Sequence, residues 1–388
     1  MKFLRDFNFN NKRVLVRADF NVPLGSDNKV DNKEDWRIQS TLPTIKYLLE
    51  QEAKIIILSH LGRPNNRVVD SLRLDPIAKR LEELLNHPVT KLDDCIGSEV
   101  KERIENIKSK EIIFLENVRF HPEEKANDSD FAKTLASYGD IYVNDAFSVS
   151  HRAHASLVGI PEFLPSCVGL LFEKEINTLS IILKNVKRPL LVIIGGAKIS
   201  TKIRFMKKFL DKADDVLLGG ALANTVVAAK GFAIGKSISE QKMIEDIKKM
   251  NLTNTKLHLP VDAIASIDPS GKKGSRIAPI GKTEENEMIL DIGPDTVKLF
   301  ENIISQAKTI IWNGPMGMIE AKEFINGSIQ IAQSVANSKA FSIVGGGDSI
   351  LLLEKAGLLD KIDHVSTGGG AMLKFLAKEK LPGIEALS

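Results

Sequence analysis

The chain has little cysteine, no long apolar run and almost no net charge. Its 388 residues include two cysteines, Cys95 and Cys167, which lie in separate segments without a CxxC pair. This argues against a zinc ribbon and against a disulfide framework. No apolar run approaches the 18 residues that a membrane-spanning helix needs. Because the net charge is only +3, nucleic acid is not expected as a partner, and any basic site must be local.

Two common nucleotide-binding motifs are also missing. The segment GFAIGKS (231–237) is one residue shorter than the P-loop pattern GxxxxGK[ST], and PIGKT (279–283) has Arg276 where the first glycine belongs. The absence of GxGxxG argues against a nicotinamide dehydrogenase with two α/β lobes, although it leaves that alternative open. The first residues, MKFLRDFNFNNKR, lack the apolar core of a signal peptide. We therefore expect a cytoplasmic protein.

Short apolar runs alternate with amphipathic stretches along the whole chain, which is typical of α/β folds with parallel sheets. The length favours two domains. The segment 169–189 is predicted to be one long helix that ends before Pro189 and connects them. We predict strands near 14–16, 54–58, 111–115 and 140–143 in the first half. In the second half we predict strands near 190–194, 215–218, 256–259, 289–292, 308–312 and 340–344, with 363–366 as an edge strand.

The turns after these apolar runs differ between the two halves. In the first half they carry charged and polar side chains. If the sheet is parallel, its strand ends meet at one edge, and several guanidinium groups there would bind a compact anion. Any single arginine could instead be a solvated surface charge. The cluster consists of Arg17, Asp19, Asn21, Arg37, His60, Arg63, Arg119, His151, Arg152 and His154.

His151 and His154 allow a second interpretation, because residues three apart can share one helix face. No cysteine or carboxylate triplet at zinc spacing lies nearby, and HEXXH is absent. We favour a backbone hydrogen bond for one histidine and an anion contact for the other over a metal site.

In the second half the turns carry glycine and lysine. GGAKISTK (195–202) opens a predicted helix directly after a strand, so that backbone N–H groups and the helix N-terminus can approach a phosphate. Lys198 and Lys202 are one helical turn apart. GGGDS (345–349) and STGGGA (366–371) repeat the arrangement. Tight turns need glycine for structural reasons too, but two different phosphate sites on one chain indicate phosphoryl transfer between two bound molecules.

The motifs that combine these features resemble those of the phosphoglycerate kinase family, and the resemblance runs from end to end. A non-catalytic anion-binding protein remains the alternative, although it would need neither paired lysines nor three glycine loops. The motifs are VRADFNVP (16–23), SHLGRP (59–64), ENVRFHPEE (116–124), NDAFSVSHRAHAS (144–156), IIGGAKISTKI (193–203), LLGGALANT (217–225), WNGPMGMIE (312–320), VGGGDS (344–349) and STGGGA (366–371).

The resemblance implies two doubly wound parallel-sheet (Rossmann-like) α/β domains joined by a hinge helix. Residues 1–170 and 380–388 would bind 3-phosphoglycerate, residues 171–188 would connect, and residues 189–379 would bind nucleotide. The implied reaction is reversible phosphoryl transfer from 1,3-bisphosphoglycerate to MgADP in glycolysis, by a monomer that closes about its hinge. The C-terminal segment LPGIEALS (381–388) would pack on the first domain.

The resemblance also implies roles for individual residues. The substrate-binding residues would be Asp19, Phe20, Asn21, Arg37, His60, Leu61, Gly62, Arg63, Arg119 and Arg152. The nucleotide-binding residues would be Lys202, Gly219, Gly220, Gly293, Glu320, Gly346, Gly347, Asp348 and Ser349, with Asp348 meeting the Mg²⁺ that accompanies ATP or ADP and Glu320 reaching the ribose hydroxyls. Arg37, Lys198, Gly345 and Gly368 would stabilise the phosphoryl group in transfer.

Four positions depart from the usual family pattern. Ser148 stands where glycine is common and Thr201 where aspartate is frequent, while Met372 and Lys374 replace serine and glutamate. In addition, Trp36 precedes Arg37 after an unusually long loop. None of these departures removes a charged site residue, so we expect them to affect rates, affinities or loop geometry rather than the reaction.

Overall fold

The chain divides into two units. Unit 1 comprises Met1–Leu179 and Glu379–Ser388, and unit 2 comprises Ser180–Lys378. The structure is a computed structural model that describes residues 1–388 except 32–33, 198 and 251–253, and only the backbone of residue 201.

A six-stranded parallel sheet forms the centre of unit 1. Its strands are β1 (Arg13–Arg17), β2 (Lys54–Leu58), β3 (Val89–Lys91), β4 (Ile112–Phe114), β5 (Ile141–Asn144) and β6 (Ser166–Val168). Their order is β3-β4-β2-β1-β5-β6, and every neighbouring pair is parallel. The central strands are almost entirely buried, as expected for a sheet covered on both faces.

The helices of unit 1 begin and end at residues that suit helix termini. The second helix has Pro76 in its first turn and ends at Asn86 in the left-handed conformation. The Asp128 side chain accepts the Phe131 N–H at 2.9 Å at the start of the fifth. The helices are α1 (Trp36–Glu50), α2 (Asp75–Leu85), α3 (Ser98–Glu105), α4 (Pro122–Ala126), α5 (Ser129–Ala136), α6 (Leu170–Lys184) and a C-terminal helix (Pro382–Glu385). Single turns span Leu4–Asp6, Asp70–Leu72, Val118–Phe120, Phe147–Val149, Ala155–Gly159 and Ile160–Glu162.

Unit 2 contains a second six-stranded parallel sheet and a smaller antiparallel sheet. The strands are β7 (Leu190–Ile194), β8 (Asp215–Leu218), β9 (Leu257–His258), β10 (Asp262–Ser266), β11 (Arg276–Pro279), β12 (Met288–Ile292), β13 (Thr309–Asn313), β14 (Phe341–Gly345) and β15 (His364–Ser366). The parallel order is β15-β14-β13-β7-β8-β9, and the antiparallel order is β11-β10-β12.

The helices of unit 2 follow its strands as expected of a doubly wound fold. They are α7 (Ile199–Leu210), α8 (Gly220–Ala229), α9 (Gln241–Lys248), α10 (Pro294–Gln306), α11 (Asn326–Asn337), α12 (Gly347–Lys355) and α13 (Gly370–Leu376), with single turns at Lys322–Phe324 and Leu359–Lys361. A buried apolar cluster that includes Phe300, Trp312 and Ile331 lies beneath the central strands.

The predicted parallel strands are present, and the predicted edge strand is β15 at the edge of its sheet. The strand predicted near 289–292 is β12, and it belongs to the antiparallel sheet rather than to the parallel one. Short strands β3, β6, β10 and β11 were not predicted. The predicted helix over 169–189 ends at Lys184; the last helical hydrogen bond runs from the Asn185 N–H to the Ile181 carbonyl at 2.8 Å.

Two further observations concern the course of the chain. Residues of α6 belong to unit 1 up to Leu179 and to unit 2 from Ser180. Near the C-terminus, the Gly383 N–H donates to the Ser150 carbonyl at 2.9 Å, and Leu387 is buried. Within the described part of the chain, every helix is too short or too polar to cross a bilayer.

Candidate active site

The carboxyl end of the unit 1 sheet brings three turns side by side. Arg17, the last residue of β1, lies opposite Leu58 of β2 and Asn144 of β5. The turn after β1 carries Asp19, and the turn after β2 carries His60. Strand register therefore gathers residues that are far apart in sequence, as the strand-end argument predicts.

Asp19 accepts hydrogen bonds from three different segments at this edge. Its Oδ2 accepts hydrogen bonds from Arg37 Nη1 at 2.6 Å and from the Ser148 hydroxyl, and its Oδ1 accepts the Asn21 backbone N–H at 3.2 Å. Burial by itself would raise the pKa of this carboxyl, but its neighbours outweigh burial and hold the pKa well below its ordinary value; in decreasing order of effect they are Arg37, His60, Ser148 and Arg17. Asp19 is therefore ionised at neutral pH.

His60 is neutral and held by a buried arginine. Burial lowers the pKa of His60 well below its ordinary value, although Asp19 opposes this. Arg17 Nη2 lies 3.3 Å from His60 Nδ1; because arginine can only donate, Nδ1 accepts and the imidazole proton is on Nε2. Asp19 Oδ1, 3.7 Å from Nδ1, therefore does not form an ion pair with it.

Arg17 belongs to the floor of the site rather than to its ligand-facing surface. It is fully buried, its Nε donates to Ser156 Oγ at 2.8 Å, and its Nη1 donates to the Ala18 carbonyl. Ser156 in turn donates to Glu124 Oε1 at 2.7 Å. Arg17 therefore has a structural role within the predicted cluster. Its positive charge still affects the pKa values of neighbouring groups such as Arg119.

Arg119 carries a half-buried positive charge with few partners. Its Nη1 donates to the Gly62 carbonyl at 2.9 Å, whereas its Nε is buried and has no hydrogen-bond partner among the described residues. Burial, followed by repulsion from Arg17, lowers the pKa of Arg119 to about 10. A buried donor without an acceptor is costly, and an anion beside Arg119 would remove that cost.

The remaining predicted substrate residues fall into two groups. Asn21 Oδ1 accepts the Gly62 N–H at 2.8 Å and ties two turns together. Phe20 and Leu61 have buried side chains, so only their backbone can face a ligand. Other members of the cluster lie at or near the surface. Arg63 and Arg152 are exposed, and His154 Nδ1 lies 3.6 Å from Glu124 Oε1.

Unit 2 contains a mainly apolar cavity of about 440 Å³. Its walls come from the ends of β7, β8, β13 and β14 and from the antiparallel strands β10 and β12. Two carboxylates, Glu320 and Asp348, also line it and are exposed. The apolar lining includes Val227, Met288, Leu290, Met316 and Ile319, and the glycine lining includes Gly196 and Gly220.

Glycines at the ends of β7 and β8 act differently from our expectation. Their N–H groups donate to protein carbonyls: Gly195 to Asn313 at 3.0 Å, Gly196 to Pro315 at 2.8 Å, Gly219 to Ile194 at 2.9 Å and Gly220 to Met316 at 2.7 Å. A Cβ at Gly195 would lie 2.0 Å from the Pro315 carbonyl oxygen. These glycines therefore allow close packing of the loops that form the cavity, and their N–H groups are engaged by protein carbonyls here. Their role in nucleotide binding stays a prediction.

The first residues of α12 and α13, Gly347 and Gly370, are different, because they face open space. A Cβ at Gly347 or Gly370 would meet no heavy atom within 4 Å. Gly346 precedes α12 with φ of +104°, a conformation that favours glycine. The first N–H groups of a helix have no intrahelical acceptor, so the 346–349 turn offers donors toward the cavity beside Asp348.

Other residues predicted for unit 2 have mainly internal contacts. Lys202 is buried and its Nζ donates to the Gly195 carbonyl. Ser349 Oγ accepts the Gly314 N–H at 2.7 Å. A Cβ at Gly293 would lie 2.3 Å from Asp262 Cγ, so Gly293 permits that packing. The Gly368 N–H donates to Ser366 Oγ at 3.1 Å.

The structure does not describe the side chains of two residues that matter for the predicted phosphate site. Lys198, predicted to be catalytic, lies outside the described residues, and the side chain of Thr201 is not described. Gly345 is the last residue of β14, and its carbonyl accepts a hydrogen bond from Asn313 Nδ2 at 2.8 Å.

Comparison with known proteins covers nearly the whole chain. The family model described as phosphoglycerate kinase matches residues 4–379. The phosphoglycerate kinase of Moorella thermoacetica is 45% identical, with 99% of this chain and 98% of that protein covered. That of Dictyoglomus turgidum is 48% identical, with 99% and 97% covered. The chain belongs to the phosphoglycerate kinase family.

Solved structures of the family agree with this. Phosphoglycerate kinase from Pyrococcus horikoshii OT3 has a TM-score of 0.90 at 35% identity, and that from Coxiella burnetii has 0.83 at 38%; each comparison covers 100% of this chain and 98% of the other. The chain is therefore a kinase, a phosphotransferase with the glycolytic role of its family. The predicted family, fold class and enzyme class are confirmed, and the dehydrogenase and the non-catalytic binding protein are set aside.

Three site residues were not identified as such from the sequence. Ser148 was noted only as a departure from the family, yet its hydroxyl contacts Asp19. Asn313 joins β7 and β14 through its backbone and side chain. Asp291 lines the cavity and accepts the Gly327 N–H at 2.7 Å and the Ile292 N–H at 2.9 Å. Burial raises the pKa of Asp291 to about 7, against these two hydrogen bonds. A single carboxylate within the otherwise apolar strand MILDI (288–292) was the available signal for Asp291.

Among the described residues, one group of potential metal ligands lies outside these sites, formed by Asp94, Cys95 and His121. His121 Nε2 and Asp94 Oδ1 are 2.7 Å apart and form a hydrogen-bonded pair. Burial raises the pKa of the Cys95 thiol well above its ordinary value, whereas metal ligation requires the thiolate. The hydrogen bond between His121 and Asp94 accounts for the position of both side chains, and we assign no metal to this group.

Proposed function

We propose that this chain transfers a phosphoryl group reversibly between 1,3-bisphosphoglycerate and MgADP, giving 3-phosphoglycerate and MgATP. The observation that carries the proposal is the half-buried guanidinium of Arg119, whose buried Nε has no partner in the described structure. It lies at a sheet edge that also contains Arg37 and a neutral histidine. A compact molecule with a phosphate and a carboxylate supplies the acceptors that this edge needs.

In unit 1, the positive side chains would bind the anionic groups of 3-phosphoglycerate. Arg63, Arg119 and Arg152 are suited to the phosphate because a guanidinium donates in a planar fork. His60 would donate from Nε2, since its Nδ1 is engaged by Arg17. Asp19 and Asn21 would accept from and orient the ligand hydroxyl, with Arg37 held in place by Asp19.

In unit 2, the apolar cavity would bind the nucleotide. A volume of about 440 Å³ suits a base and ribose, since ligand sites are mainly apolar clefts with a few polar groups. Glu320 at the wall would accept hydrogen bonds from the ribose hydroxyls. Lys202 and the 346–349 turn, which opens α12, would bind the phosphates.

Asp348 fits a role in magnesium binding. It is an exposed carboxylate in the first turn of α12 and lines the same cavity. Mg²⁺ prefers oxygen ligands and is commonly held by one or two carboxylates together with substrate phosphates. Asp348 would hold the ion that accompanies the nucleotide, which would neutralise phosphate charge.

The reaction needs no general base from the protein. In the direction of ATP consumption the nucleophile is the carboxylate of 3-phosphoglycerate, which is already ionised at pH 7. The protein's contribution is then positioning and charge stabilisation. We assign this to Arg37 and Lys198, with backbone groups at Gly345 and Gly368. For Gly368 the donor would have to be released from Ser366, because its N–H is engaged there.

We further propose a monomer in the cytoplasm whose hinge closes when both substrates bind. Closure would exclude water from an acyl phosphate that hydrolyses readily. Light scattering after size exclusion tests the monomer. X-ray scattering with both substrates tests closure, and an unchanged radius of gyration would contradict it.

The test of the reaction is a coupled assay with 3-phosphoglycerate, ATP and Mg²⁺. Glyceraldehyde-3-phosphate dehydrogenase consumes the product, and the loss of NADH is followed. We expect activity that disappears when either 3-phosphoglycerate or Mg²⁺ is omitted. A folded chain without turnover would contradict the proposed function.

A further inference from the structure

We propose that Ser148 is a positioning residue that fixes the carboxylate of Asp19 and, through it, the guanidinium of Arg37. The inference deepens the proposed function, because it concerns the same substrate site in unit 1. It rests on contacts between three side chains that come from three different elements.

Ser148 and Arg37 act on the same atom. The Ser148 hydroxyl and Arg37 Nη1 both donate to Asp19 Oδ2, while Oδ1 accepts the Asn21 N–H at 3.2 Å. Ser148 and Asp19 are 9% and 7% exposed, so water has little access to replace a lost donor. The hydrogen bonds of Asp19 therefore hold each of its two oxygens from a different side.

The fold explains why Ser148 reaches Asp19 across 129 positions of sequence. Asn144 at the end of β5 lies opposite Arg17 at the end of β1. The chain after β5 forms the single turn Phe147–Val149, and the chain after β1 carries Asp19. Parallel register places these two segments at the same sheet edge, and Ser148 is the hydroxyl that joins them.

An aspartate needs such a partner to keep one orientation. The terminal torsion of its side chain is broad rather than confined to narrow rotamers, so hydrogen bonds determine the plane of the carboxylate. In Ser148→Ala, Asp19 would keep Arg37 but lose the second donor on Oδ2. The carboxylate can then rotate with Arg37, and the guanidinium no longer occupies a single position for the substrate.

The expected effect is confined to one substrate. A hydrogen bond to a charged group contributes about 1.5–3 kcal/mol, which corresponds to roughly tenfold or more in an equilibrium constant. We expect Ser148→Ala to weaken 3-phosphoglycerate about tenfold, both as kcat/KM and as Kd by calorimetry. The KM for ATP should stay within about twofold, and Ser148→Thr, which keeps a hydroxyl, should recover most of the loss.

Ser150→Ala is the matched control. Ser150 lies in the same segment, is fully buried, and donates to the Ala146 carbonyl at 3.3 Å rather than to Asp19. It should leave 3-phosphoglycerate affinity near the wild-type value. Melting temperatures of all variants establish that each is folded.

A double-mutant cycle then asks whether Ser148 acts through Asp19. In an Asp19→Ala background, Ser148→Ala should have little further effect on the Kd of 3-phosphoglycerate. Equal losses with and without Asp19, equal rises in both KM values, or wild-type affinity in Ser148→Ala would each overturn the inference. A wild-type chain that neither binds nor phosphorylates 3-phosphoglycerate would instead contradict the proposed function, so the two failures are distinguishable.

Discussion

In each unit the candidate site lies at the carboxyl ends of the strands of a parallel sheet. The two sites differ in whether side chains or backbone and apolar surface form them. In unit 1 the site consists of polar and charged side chains. Asp19, Arg37, His60 and Arg119 attract or repel one another through their charges. In unit 2, backbone and apolar surface dominate, with glycines that let loops pack around a cavity. A doubly wound sheet therefore fixes where a ligand binds, while the residues after each strand decide what kind of group is recognised.

Arg37→Ala gives the largest expected effect and tests the side-chain half of the comparison. Removing an arginine that stabilises a transferring phosphoryl group costs roughly 10³–10⁵ in rate in other enzymes. We expect kcat to fall by about 10³ or more while the KM for ATP changes little. Steady-state kinetics with both substrates varied provides the measurement.

Arg13→Ala serves as its control, because Arg13 begins β1, at the opposite end of that strand from Asp19, and pairs with Asp140 at 2.7 Å. That variant should retain most of the wild-type kcat. Near-normal turnover in Arg37→Ala would remove Arg37 from the mechanism.

Arg119→Gln should have the next largest effect, on binding. Losing a charge-assisted contact with the substrate is worth about 1.5–3 kcal/mol, so the KM for 3-phosphoglycerate should rise roughly 10- to 100-fold. The KM for ATP should not follow. Arg103→Gln, which removes an ion pair with Glu111 elsewhere in unit 1, is the control. If the two variants behave alike, the orphaned Nε of Arg119 does not mark a substrate contact.

Gly220→Ala tests the backbone half of the comparison. Gly220 has φ of +58°, and a Cβ there would lie 2.6 Å from the Gly196 backbone nitrogen. Backbone cannot move aside as a flexible side chain can, so the cavity wall must shift. We expect the KM for ATP to rise about tenfold, since displacements and strain of this kind cost roughly 1–3 kcal/mol, with the KM for 3-phosphoglycerate unchanged.

The matched control is Gly231→Ala. Gly231 also has a positive φ, +83°, but a Cβ there meets nothing within 4 Å. It carries the same conformational penalty without the clash. Equal nucleotide affinity in the two variants would show that close packing at Gly220 is unimportant for the cavity.

Asp291→Asn should have the smallest effect on activity. This variant tests whether the cavity wall carries a group that titrates near neutral pH. Burial raises its pKa to about 7 in the folded protein, so between pH 4 and 7 the folded state binds more protons than the unfolded state. The contribution of Asp291 to stability is therefore present below its ordinary pKa and declines as pH rises toward 7.

Urea unfolding across this pH range provides the measurement. In Asp291→Asn the free energy of unfolding should decline less steeply as pH rises. A smaller decline remains because burial also raises the pKa of Asp145 in unit 1, to about 6. An unchanged pH dependence in Asp291→Asn would show that Asp291 is ionised at neutral pH in the folded protein.

The long buried strands and the strand-end cluster were predictable because each leaves a local signal. Runs such as KIIIL at β2 are β-branched and bounded by turns, and parallel register then requires Asp19 and His60 to share an edge. The edge strands β3 and β6 have only three residues each, which is too few to show the residue pattern of a strand. β10 pairs antiparallel with both β11 and β12, and no local pattern specifies this pairing.

The parts of the site that could not be predicted depend on distances between remote segments. A glycine after a strand has the same sequence signature whether its N–H faces a phosphate or a carbonyl. Gly195 and Gly347 are indistinguishable in this respect, yet one is packed against Pro315 and the other is open. The contact between Ser148 and Asp19 likewise follows from register.

Hydrogen–deuterium exchange with each ligand alone tests the central claim most directly, namely that the two units recognise different ligands by different means. 3-Phosphoglycerate alone should protect the turns 18–21 and 59–63 in unit 1. MgADP alone should protect 314–320 and 346–349 in unit 2. Protection of the same unit by both ligands, or of each unit by the other's ligand, would contradict the account.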